Sequence, residues 1–161
     1  MLPFAAAATP ILVVDLSESY TRSSALAGLL AAVDRELKAL AEKYRPELDR
    51  QRAELKELKQ REPRDRDRQL AIARRISDIE SDAERDEERL ARANQAAIDE
   101  VQQAIAATKS ALQAEAGARA VLDIQETRYV RPDCPCLASE RFFQLLNERL
   151  PRVELRMTPS A

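Results

Sequence analysis

Apolar residues recur through the first half of the chain at Leu26, Leu30, Val33, Leu37, Leu40, Tyr44, Leu48, Leu55 and Leu58, and the stripe passes over polar Gln51. Steps of three and four residues put these side chains on one face of a long helix. A second stripe, Ile72, Ile76, Ile79, Ala83, Leu90, Ala93, Ala97, Val101, Ile105 and Leu112, predicts another helix from about Arg64 to Ala116, with Gly117 as its stop. Between the stripes, Lys59 to Arg68 offers only charged and amide side chains around Pro63, which reads as the tip of a helical hairpin. Pro46 lies inside the first helix and predicts a bend there.

Folding the chain back at Pro63 pairs residues whose numbers total about 127, as two antiparallel helices require. Leu55 then meets Ile72, Leu48 meets Ile79, Tyr44 meets Ala83 and Leu37 meets Leu90. Gln51 and Asp86 fall in this seam where hydrophobes are expected, so the arms are predicted to pack loosely and to splay.

Only two glycines are present, Gly28 and Gly117, and there is no Trp or His. Glycine scarcity excludes a Gly-rich nucleotide loop and argues against a turn-rich sandwich. Without histidine the chain lacks the commonest general base and the commonest metal ligand. A net charge of -2, from 26 basic and 28 acidic residues, gives no global attraction to nucleic acid. No apolar run is long enough to span a bilayer.

The remaining residues form smaller pieces. Residues 1–8, ending in four alanines, read as a signal-peptide remnant or an apolar leader. The run from Ile11 to Asp15 reads as a strand, within a segment 9–24 that opens a body. The hairpin arm occupies 25–116 with its tip near 63. In 117–150, Ala118–Ile124 and Thr127–Arg131 predict a β-hairpin, and Ser139 is expected to cap a helix bearing Phe142, Phe143, Leu145 and Leu146, ended by Pro151. Residues 151–161 are a tail. The fold class is therefore α+β, a long antiparallel helical hairpin on a small three-stranded body. A sheet so small needs strands from other copies, which predicts a closed homo-oligomer.

Several short motifs carry a resemblance. Pro10–Leu16 reads Pro-Ile-Leu-Val-Val-Asp-Leu, Ala120–Asp123 reads Ala-Val-Leu-Asp with Tyr129 beyond it, and Ser139 through Leu146-Asn147 closes the chain. In this order around a helical hairpin they resemble the Skp (OmpH) family of periplasmic chaperones over Pro10 to about Leu150. Ser139 stands where that family has Thr, and Leu137 where Asp is usual. The resemblance implies a homotrimer whose three arms enclose a cavity for unfolded outer-membrane proteins, working without ATP or a catalytic residue, and no cofactor or metal is expected. The mild acidity departs from the usually basic family.

With three arms facing one another, Leu29, Ala41, Ala73 and Ile98, beside the seams, are expected to line the cavity and hold clients. Ile11, Val13, Val121, Tyr129, Phe142 and Leu146 are expected to build the oligomer's body. The tip carries Lys59, Arg61, Arg64, Arg66 and Arg68 against Glu62, Asp65 and Asp67, a solvated loop suited at most to weak contact with anionic lipid. Seven acids between Asp78 and Glu88 lack the glycines of a calcium loop and read as a solvated face. Cys134-Pro135-Cys136 is the sole thiol pair. Lacking the Cys-x-x-Cys spacing at a helix start, it points to a structural disulfide, within or between subunits, rather than to redox catalysis. The competing reading is a coiled-coil structural or adaptor protein of the envelope.

Overall fold

The structure is a computed structural model describing residues 10–157, so the predicted leader at 1–8 lies outside the described residues. Its elements are β1 (Ile11–Val14), a 3-10 turn at Leu16–Glu18, α1 (Ser19–Arg22), α2 (Ser24–Arg61), α3 (Arg66–Ala116), β2 (Ala120–Asp123), a 3-10 turn at Ile124–Glu126, and α4 (Ser139–Arg149). Within them the chain divides into two compact units, one of residues 10–30 and 96–154, the other of 31–95 and 155–157.

In the hairpin unit, α2 runs on through Pro46 and ends at Arg61, and α3 begins after a tight turn at 62–65. The register is close to the one the stripes predict: Tyr44 Oη donates to Asp82 O and Asp86 Oδ2, and Arg52 pairs with Glu80 at 2.7 Å. Buried here are Gln51, Leu58, Ile72, Leu90 and Ala93. Leu30 and Leu37, expected in the seam, are half exposed. One partner helix covers a stripe narrower than the apolar face, whereas Leu26 and Leu29, at the start of α2 in the sheet unit, are buried.

In the sheet unit, β1 and β2 pair in parallel, Ile11 opposite Ala120 through Val14 opposite Asp123. The long helices form the crossover between them. At the C-terminal end of α3, Gly117 takes φ 60°, and Ala118 N–H returns to Gln113 O at 3.0 Å, the closure that a left-handed glycine allows. The core gathers Val14, Val101, Phe142 and Leu146, with Phe142 edge-on to Phe143 at 5.2 Å.

The predicted β-hairpin and third strand do not form among the described residues. Asp123 Oδ1 accepts from Gln125 N–H while Glu126 Oε2 accepts from Asp123 N–H, and this reciprocal cap turns the chain out of the sheet. Thr127–Arg131 consequently pairs with no strand. The segment after β2 instead crosses to the far edge of β1, where Leu137 bridges Val13 in parallel through Val13 N–H to Cys136 O (2.8 Å) and Ala138 N–H to Val13 O (2.9 Å).

Ser139 does not cap α4 either. Its Oγ accepts from Asp15 N–H at 2.8 Å, tying the end of β1 to the helix start. Asn147 does the capping work at a distance: its Oδ1 accepts from Ser24 N–H (2.9 Å) at the start of α2, and its Nδ2 donates to Arg22 O (2.9 Å).

Candidate client-binding surface

Along the hairpin unit, α2 leaves a shallow groove of about 250 Å³ whose floor is Leu37, Leu40, Ala41, Tyr44 and Leu48, with Ala83 from α3. Leu37 stands 49% exposed in it. Arg45, Asp49, Arg52 and Glu87 line the same groove, so an apolar floor carries charges of both signs beside it. The stripe is wider than its partner helix can cover, and the groove is what remains.

A polar cluster fixes the hairpin register at the same level. Asp86, its side chain only 15% exposed, accepts from Lys43 Nζ (2.8 Å), Tyr44 Oη (2.6 Å) and Arg89 Nη1 (3.1 Å). The hydrogen bonds from Lys43 and Tyr44 hold its carboxyl down to about 2. Asp86 in turn holds the Lys43 ammonium above the usual lysine range, and that ammonium lies 4.6 Å from the centre of the Tyr44 ring. The seam position that looked like a packing defect is satisfied by its neighbours.

The residues expected to hold clients fall in different places. Ala41 lies in the α2 groove and is exposed. Ala73 is exposed on α3, and Ile98 is half-buried in the sheet unit. Leu29 is 2% exposed and is a core residue of the sheet unit, beside buried Ala25 and Leu26 at the start of α2. Leu37 and Leu40 belong to the groove although spacing assigned them to the seam. Their heptad positions carried no signal separating the covered edge of the stripe from the uncovered one.

Of the residues expected in the body, Val13, Val121, Phe142 and Leu146 are buried within the chain, whereas Ile11 is 46% and Tyr129 78% exposed. The last two line a larger groove of about 700 Å³ together with Leu122, Val130, Cys134 and Cys136. The two cysteines are bonded to each other. At the hairpin tip, Arg61 pairs with Glu57 and Arg68 with Glu54. Among the described residues no cluster suited to a metal ion is found, and no helix is long and apolar enough to cross a membrane.

No protein-family model and no curated protein sequence matches the chain. Its architecture is similar to the crystal structure of "a putative outer membrane chaperone (OmpH-like)" from Caulobacter crescentus CB15, with a TM-score of 0.63 over 95% of each chain. The chain has an OmpH-like fold. At 14% identity the likeness is one of backbone architecture, so the side chains of this OmpH-like fold have to be argued from their own chemistry. The short motifs that carried the resemblance have a structural explanation within it. Asp15 and Asp123 end the two parallel strands, where Asp15 Oδ1 accepts from Ser17 N–H and Asp123 Oδ1 from Leu16 N–H, while Asn147 secures the entry into α2.

Proposed function

We propose that three copies of this chain assemble into an ATP-independent holdase of the periplasm, which keeps unfolded outer-membrane β-barrel proteins from aggregating in a cavity between helical arms. The observation that carries this reading is the α2 groove, apolar at its floor and charged beside it, on a chain with an OmpH-like fold. Shallow apolar contacts worth ~25 cal/mol per Å² hold a chain without imposing one conformation on it, and many of them add. Leu37 and Ala41 supply such contacts in the groove, exposed Ala73 offers another on α3, and Ile98 offers one within the sheet unit.

Assembly is favoured by the outer edge of β2, which no strand of the described residues pairs. Val13, Val121, Phe142 and Leu146 form the core that presents this edge, with Ile11 and Tyr129 on the surface of the same body. The basic tip makes at most a weak contact with anionic lipid, which salt would abolish.

The test is light scattering while a urea-unfolded outer-membrane β-barrel protein is diluted into the protein without nucleotide. Suppression that saturates near one client per three chains supports both trimer and holdase. A client that aggregates unchanged beside well-folded protein overturns the reading and leaves an envelope adaptor with the same architecture.

A further inference from the structure

The segment from Thr127 to Cys136 and the strands together line a groove of about 700 Å³, to which Ile11, Leu122, Tyr129 and Val130 give apolar surface and Cys134 and Cys136 their sulfurs. Both cysteines are partly exposed and bonded to each other, with exposed Pro135 between them. A bridge over so short a loop restrains the unfolded chain least of any disulfide, so it is a poor staple. Its surroundings suit a different use. Cys136 N–H lies 3.2 Å from Cys134 Sγ, a donor already aimed at the sulfur that would become a thiolate if the bond opened. Arg131 and Asp133, paired at 3.1 Å, also line the groove.

We propose that Cys134–Cys136 is a thiol–disulfide exchange site whose substrate is an extended, apolar polypeptide segment carrying two cysteine thiols, seated in this groove. The disulfide in its wall selects a thiol as occupant, and the apolar wall selects an unfolded segment over a small hydrophilic thiol. A client thiolate attacks Cys136 Sγ, the bond between the two protein sulfurs breaks, and its electron pair goes to Cys134 Sγ, where the Cys136 N–H receives it. The client's second thiolate then attacks the client sulfur of the mixed disulfide and releases Cys136 as a thiolate. Two protons leave the client thiols and are taken up by the two protein thiolates. The client is oxidised by two electrons and the protein's own disulfide is the oxidant, so one turnover needs no other reagent. The proposal goes beyond the holdase reading and requires that the groove stay open when copies of the chain assemble.

The test mixes the full oxidised chain with a reduced synthetic peptide bearing two cysteines flanked by leucine and valine, and separately with reduced glutathione. Acid-quenched samples are read by mass spectrometry. Peptide disulfide is expected to accumulate to one per chain, with the trapped mixed disulfide on Cys136. Tyr129→Ser should slow the peptide reaction about tenfold, the factor that goes with losing one aromatic contact, and leave the glutathione reaction unchanged. Ile11→Thr, which keeps strand propensity, is the second wall variant and should act in the same direction. The proposal is overturned by a peptide that reacts no faster than glutathione, by equal slowing of both reactions, by a mixed disulfide on Cys134, or by a disulfide inert to both because a second copy of the chain covers the groove.

Discussion

Removing the charge at Asp86 would take from Lys43, Tyr44 and Arg89 the acceptor they share. Asp86→Asn is expected to destabilise the hairpin unit by about 1–2 kcal/mol. The carboxyl sits at about 2 in the folded chain against an ordinary 3.8, so its contribution is complete above pH ~4 and is lost as pH falls through about 2. The difference in thermal midpoint between wild type and variant, followed by circular dichroism, should therefore be constant above pH ~4 and vanish towards pH 2. Gly117 makes a simpler case. A Cβ there would meet nothing within 4 Å, but φ is 60°, so Gly117→Ala should cost about 1 kcal/mol through the backbone alone. Asp86 could be read from the sequence as a seam position. Its three partners could not, because Tyr44 reaches past the alanine opposite it to a carboxylate one turn along.

Helices were the most legible elements, since a stripe repeated over many turns outweighs any single residue. The structure has a turn at 62–65 between the two long helices, and α2 continues through Pro46. Pro46→Ala restores a backbone donor in mid-helix and should raise helicity and stability by as much as about 3 kcal/mol, read by thermal melts. Strands were less legible. Thr127–Arg131 has the β-branched and aromatic content of a strand, yet the reciprocal cap between Asp123 and Glu126 diverts it, and Cys136–Ala138, which carries no strand signal, takes the place beside β1. Asn147 was visible only as part of a motif, and its action on α2 is a contact across most of the sequence. Asn147→Ala should cost about 1 kcal/mol and fray the first turn of α2, which hydrogen exchange at Ser24 would register.

For the assembled molecule, the proposed holdase depends on apolar surface that folding leaves uncovered. Leu37→Asp, at a half-exposed position in the α2 groove, should leave the thermal midpoint nearly unchanged while weakening client binding about tenfold in the scattering titration. An equal loss of both would mean that Leu37 serves folding and not holding. The parallel pairing of β1 with β2 bears on how the molecule is made. The two strands lie at opposite ends of the long helical crossover, so their pairing is a contact of very high sequence separation. On a growing chain β1 emerges early and has no partner until Ala120–Asp123 follows, whereas the turn at 62–65 lets α2 and α3 meet through local contacts. The hairpin should thus acquire exchange protection before the sheet does, and a nascent chain interrupted before β2 would carry an unpaired, β-branched edge of the kind that chaperones bind.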